Sequence, residues 1–188
     1  MALLPDGGSA PGDPPAPAGH AQAAVSLILR TTSELELLLI KRAESERDPW
    51  SGHIALPGGR RDPSDPDLAR TAIRETAEET GVELDSLGWP LGRLSQVSPT
   101  SERLPRLTIV PYIFGVPDQV RAAVNSPEVE SVMWVELSRL LHPDTRGSTL
   151  IHLPGGPKAF PCFQIGEHVV WGLTFRILTG FLEIFDRA

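Results

Sequence analysis

Pro57-Gly58-Gly59, followed after a polar loop by Arg74-Glu75-Thr76-Ala77-Glu78-Glu79-Thr80-Gly81-Val82, is the most informative segment of the chain. Glu75, Glu78 and Glu79 stand at i, i+3 and i+4, which on a helix puts all three carboxylates on one stripe. Two such charges about 6 Å apart repel by roughly 3 kcal/mol at an effective dielectric of about 20. Acids near a helix C-terminus also oppose its dipole. A helix shaped for stability alone would disperse them, whereas a divalent cation turns the crowding into binding energy. Hard oxygen donors in this number suit Mg²⁺ or Mn²⁺. The competing reading is a solvated acidic face, with Arg74 paired to Glu78 four residues on. The upstream glycines weigh against it, because they let the backbone approach a metal or a phosphate with no side chain between.

Working outward, Asp67 is placed to cap a helix running to about Thr80, with Gly81 as its left-handed stop. Ala69, Ala72, Ile73, Thr76 and Thr80 are assigned to the packing face of this helix, and the glutamates to roughly the opposite face. Upstream, the apolar runs 23–30 and 35–41 predict a strand hairpin, and 53–56 a short strand leading into the glycines. Segments 43–52 and 60–66 read as loops. Downstream, strands are predicted over 91–97, 107–116 and 132–135, with a final hairpin over 160–165 and 168–170 after a turn at 154–157. Leu173, Ile177, Leu178, Phe181, Ile184 and Phe185 recur at helical spacing and predict a C-terminal helix. The class is α/β, or α+β, around a mixed sheet.

The 188 residues suffice for one domain with a full core, and 40% hydrophobic and 22% charged content is ordinary for a globular chain. A net charge of -7 and a pI near 5.2 argue against nucleic acid or an anionic membrane as partner, but not against a small phosphorylated substrate. Cys162 is the single cysteine, so no internal disulfide and no cysteine metal cluster can form. That composition fits a reducing, cytoplasmic setting. No apolar run reaches the length of a membrane span, and the N-terminus lacks the pattern of a secretory signal. Residues 1–20 hold five prolines and four glycines and read as a disordered tail, leaving 21–188 as the single domain. A homodimer is compatible with this reading.

These residues resemble the Nudix box, Gly-x5-Glu-x7-Arg-Glu-apolar-x-Glu-Glu-x-Gly-apolar, over residues 59–82. The match is strongest at Arg74, Glu75, Glu78, Glu79, Gly81 and Val82. Arg74 follows Gly59 by fifteen residues, one more than the box has. The early glutamate is absent, with Asp65 or Asp67 nearest its place, and Thr76 fills the first apolar position. The added residue is similar to the coenzyme A pyrophosphatase branch of that superfamily. So are Leu38, Leu39, Arg42, Ala43, Arg47, Gly52 and Pro57-Gly58-Gly59 of its upstream signature, and Trp171-Gly172-Leu173-Thr174 before the last helix. The spacing from Arg47 to Gly52 departs from that signature by one residue, and Leu56 replaces its phenylalanine.

The resemblance implies an α/β/α sandwich with a central mixed sheet. It implies Glu75, Glu78 and Glu79 as metal ligands with the Gly59 carbonyl as a further one, and Arg74 orienting a glutamate. Arg42, Arg47 and Arg60, with the Gly58 and Gly59 backbone, are candidates to grip substrate phosphates. Trp50 is assigned to packing. Glu128, Glu130 and Glu102 are candidate general bases beside the box glutamates, and Glu128 is carried as the catalytic choice. The implied reaction is metal-dependent cleavage of a pyrophosphate linkage in a nucleotide substrate. Coenzyme A or acyl-coenzyme A is the first choice. Nucleotide sugars, ADP-ribose, dinucleoside polyphosphates and oxidised nucleotides are alternatives, and so is a non-catalytic domain that binds a nucleotide metabolite.

Overall fold

The computed structural model describes residues 13–46, 48, 50–101, 104–153 and 156–186. Its main sheet holds β1 (Ala21–Thr31), β2 (Leu35–Arg42), β3 (Ile54–Ala55), β4 (Gly58–Arg60), β5 (Trp89–Arg93), β6 (Leu107–Gly115) and β7 (Val129–Glu136). The strand path runs β3-β2-β1-β6-β5, with β4 also on β1 and β7 also on β2. The β1–β6 pair is parallel and the other pairs are antiparallel, so the sheet is mixed.

Strands β1, β2 and β6 are near-continuous apolar runs because both faces of the sheet are covered. Ala24, Ile28 and Leu38 pack toward helix α1 (Leu68–Thr80), with Leu68 and Ala72. Leu27, Leu29, Leu37 and Leu39 face the other way. There they meet α4 (Gly172–Phe185) through Ile177, Leu178, Phe181 and Leu182, and a small antiparallel sheet through Phe163, Ile165 and Val170. That sheet is β8 (Arg146–Leu153), β9 (Gly156–Ile165) and β10 (His168–Trp171). The predicted sandwich is present. No helix among the described residues is long and apolar enough to cross a membrane.

Several expectations are corrected. The strand expected over 91–97 occupies Trp89–Arg93 and is irregular between Pro90 and Gly92, while Val97 returns as a single bridge to Ile109. Strand β8 went unread because it is largely exposed and carries no alternation for a pattern to catch. The glycine bend is itself a strand, β4. Two short helices, α2 (Leu84–Leu87) and α3 (Leu137–Leu141), were not anticipated. The turn at 154–157 falls partly outside the described residues.

Residues 13–20 form no helix or strand, as expected, yet Asp13 is tied to the domain. The Asp13 carboxylate accepts from Arg61 Nη1 at 3.0 Å and from the Leu68 N–H at 2.9 Å, the first residue of α1. A carboxylate at that helix end satisfies a free N–H and complements the dipole. Residues 1–12 lie outside the described part.

Candidate active site

Helix α1 begins and ends as its sequence dictates. The Asp67 side chain accepts from the Arg70 N–H at 2.8 Å, and Gly81 takes φ 68 with its N–H on the Ala77 carbonyl. The expected packing face holds at Ala72, Thr76 and Thr80, all fully buried, but Glu79 joins it and does not lie opposite. At about 100° per residue, Glu79 lies seven residues beyond Ala72 and so about 20° short of two full turns, on the packing face. Glu79 is only 4% exposed, whereas the Glu78 side chain is 56% exposed and Glu75 lies between them. The face is completed by Thr76, whose hydroxyl stands 2.8 Å from both the Ala72 carbonyl and the Ser26 hydroxyl. A threonine at this apolar position is tolerated because its one polar group is bonded.

Strand β4 brings the glycines under the helix. A β-carbon on Gly58, which has φ 149, would fall 2.6 Å from Val25 Cα. Only glycine fits so close to β1, and the Gly58 N–H is left pointing at Glu79 Oε2, 2.8 Å away. A β-carbon on Gly59 would fall 2.5 Å from Glu75 Cδ. Gly59 therefore makes the hollow in which the Glu75 carboxylate sits.

Arg74 organises the outer side. Its Nε and Nη2 donate to the two oxygens of buried Asp65 at 3.0 and 2.9 Å, and Nη2 also reaches the Arg60 carbonyl at 3.2 Å. Nη1 faces Glu75 at 2.9 Å and Glu78 at 3.1 Å. The Arg74 guanidinium holds the Asp65 carboxyl well below the usual carboxylate range, aided by the Asp62 N–H and the Thr71 hydroxyl. Of the two aspartates nearest the missing glutamate, Asp65 thus partners the arginine and Asp67 is the helix cap.

Arg42 closes the inner side. Its Nε donates to Asp48 at 2.7 Å, and its two terminal nitrogens lie 3.8 Å from Glu79 Oε1 and 4.0 Å from Glu128 Oε2. Glu128 reaches this position because the β2–β7 pairing shifts register between Lys41 and Arg42, and the Ala43 N–H bonds the Glu128 carbonyl. Burial pushes the Glu79 carboxyl up to about 7, against the pull of the Gly58 N–H and Arg42 and with the repulsion of Glu75 and Glu128. Burial also raises Glu75, against Arg74.

Other candidates are placed elsewhere. Glu130 pairs with Lys41 at 2.7 Å in a separate cleft of about 570 Å³ beside His53 and His168. Arg60 contributes its carbonyl to the Arg74 fork and is exposed. Arg61 turns to Asp13 and to the Asp65 and Pro66 carbonyls. Trp50 packs against Ala23, Leu107 and Ile109, as read. Arg47 and Glu102 lie outside the described residues. Asp48 and Asp65 were not proposed as site residues. Asp65 was visible as the box's displaced acid, but nothing local marks Asp48.

Among the described residues no three His, Cys, Asp or Glu side chains converge as a ready-made ligand group. Glu78 is drawn outward to Arg74 and Glu79 inward to Gly58. The donor chemistry nonetheless fits a hard divalent cation. Glu75 and Glu79 are desolvated carboxylates that repel each other, and Gly59 keeps a side chain out of the space against Glu75.

A NUDIX domain family model matches residues 20–151. The chain belongs to the NUDIX domain family. The human mitochondrial coenzyme A diphosphatase NUDT8 is 36% identical to this Nudix chain over 151 residues, 77% of the chain and 60% of that protein. An uncharacterized protein of Schizosaccharomyces pombe is 37% identical over 116 residues, 60% of the chain and 35% of that protein. The chain thus spans between about a third and three fifths of the length of these two relatives. The crystallised NUDIX domain of Shewanella oneidensis NrtR, complexed with ADP ribose, superposes with a TM-score of 0.55 at 20% identity. It covers 89% of this chain and 88% of its own, which establishes the shared fold.

Proposed function

We propose that this Nudix domain is a divalent-cation-dependent hydrolase of the pyrophosphate bond in a nucleoside diphosphate-linked substrate. The substrate is coenzyme A or an acyl derivative, cut to 3′,5′-ADP and 4′-phosphopantetheine. The observation that carries the reading is the pair Glu75 and Glu79, desolvated against Gly58 and Gly59 and faced by Arg42. Desolvating two carboxylates that repel each other costs stability, and a reaction that needs a cation there supplies the reason.

Glu75, Glu79 and Glu78 with the Gly59 carbonyl would hold Mg²⁺ or Mn²⁺. When bound, the cation supplies neutralisation of phosphate oxygens and makes water a better nucleophile. The chain's own groups do the positioning. Arg74, locked by Asp65, holds Glu75 in place, and the Gly58 N–H aims Glu79. Arg42 presents two terminal nitrogens to a phosphate entering between Glu79 and Glu128. Glu128 is solvent-facing beside Arg42 and is the group we assign to accept a proton from the attacking water. The coenzyme A choice is supported by the shared upstream signature through Arg42 and by the activity that the human relative's name states.

The deciding experiment offers coenzyme A, ADP-ribose, nucleotide sugars and nucleoside triphosphates with Mg²⁺ or Mn²⁺, with products identified by mass. Coenzyme A is expected to be the preferred substrate, and Glu79→Gln to lower its turnover by at least about a hundredfold. Parent-level turnover by that variant at saturating cation would refute the assignment. Preference for another panel member would replace the substrate and keep the chemistry.

A further inference from the structure

We propose that Asp48 is a positioning residue that keeps Arg42 from closing on the carboxylates of the cation site. This rests on the reading of Glu75 and Glu79 as cation ligands given above.

Asp48 uses both carboxylate oxygens. Oδ2 accepts from Arg42 Nε at 2.7 Å, and Oδ1 accepts from the Trp50 N–H at 3.0 Å, a local turn that ties the aspartate to its own loop. The loop is braced around it: the Asp48 N–H bonds the Ser45 carbonyl, and the Ser51 N–H bonds the Asp48 carbonyl. Asp48 and Arg42 are both mostly buried, at 17% and 20% side-chain exposure, so the pair is shielded from screening. The guanidinium is anchored at its Nε edge.

Its terminal nitrogens are then held 3.8 Å from Glu79 and 4.0 Å from Glu128, in range for attraction but too long for hydrogen bonds. An arginine without that anchor gains by moving the last ångström and forming charge-assisted bonds to Glu79. It would then occupy the carboxylate that a divalent cation needs. Held back, the same nitrogens keep donors available for a phosphate. One contact therefore sets both cation access and anion recognition, and it originates in a loop residue that touches neither.

The test is Mn²⁺ binding to the full chain without substrate, followed by electron paramagnetic resonance of the free ion. Asp48→Asn keeps the size of the side chain and removes its charge, and is expected to weaken Mn²⁺ binding by about fivefold or more. Arg42→Gln removes the competing charge and is expected to tighten binding beyond the parent. The double variant should behave like Arg42→Gln, because Asp48 has no other route to the cation. A loop that had merely lost its shape would leave the double variant as weak as Asp48→Asn, and that result overturns the proposal. So does Asp48→Asn binding Mn²⁺ as tightly as the parent. Should Asp48→Asn fail to fold, Asp48→Ser takes its place. Weaker Mn²⁺ binding that is restored by adding Arg42→Gln then supports the proposal, and parent-like or unrestored binding rejects it. A parent that binds no Mn²⁺ removes the cation site itself, a failure distinct from all of these.

Discussion

Glu79 concentrates the site's energetics in a single side chain. Its carboxyl is raised from an ordinary 4.5 to about 7, chiefly by burial. Because the folded state holds this proton more tightly than the unfolded one, the contribution to stability is full below pH 4.5. It is lost as pH climbs to about 7. Above that, a charged Glu79 without a cation costs roughly 3 kcal/mol, at 1.36 kcal/mol for each unit. Glu79→Gln should therefore melt higher than the parent at pH 8 in a chelator, with the difference fading by pH 4.5. Equal melting temperatures at pH 8 would contradict the burial argument. The residue types and spacing of this carboxylate were legible in the chain. Its burial was not, because residue types along the helix do not tell how far the Gly58 backbone will cover the edge of its packing face.

Helix α1 is held in place by acids at its N-terminal side. Asp65 binds Arg74 through both oxygens, and Asp13 reaches across from the N-terminal segment to the Leu68 N–H and Arg61. Asp65→Asn should cost about 2 kcal/mol at pH 7, less than a fully buried pair because Arg74 is partly exposed. The depressed Asp65 carboxyl stabilises the fold above pH 3.8, and the benefit is lost as pH falls below that value. The loss is progressive because the folded carboxyl stays charged well below that value. Urea titrations at pH 7 and pH 2 should accordingly show the variant's deficit shrinking at the lower pH. A deficit of the same size at both would mean that packing, and not charge, is what the substitution removes. The cap at Asp67 and the stop at Gly81 follow from local chemistry and were readable. The Asp13 contact joins residues 55 apart in the chain, and no window of sequence displays it.

At the scale of the whole molecule, one core spans two sheets. Phe163 of the small sheet is fully buried among Leu27 and Leu39 of the main sheet and Leu178 of α4. Phe163→Ala should lower the unfolding free energy by about 3–5 kcal/mol, the usual range for emptying a large buried site. Urea unfolding followed by fluorescence and by circular dichroism should stay coincident, since the layers share that core. Separate transitions would show that the small sheet and α4 form an independent unit.

By itself the chain determined what is local: the capped helix, the three clustered glutamates, the glycine bend and the apolar strands. These come from side-chain chemistry and from periods of a few residues. The folded chain alone shows which acids are buried, that Asp65 serves Arg74, and that Asp48 pairs with Arg42 beside Glu79 and Glu128. Those choices depend on a register shift between β2 and β7 and on the close approach of β4 to β1, where non-local hydrogen bonds and packing set distances that spacing along the chain does not encode.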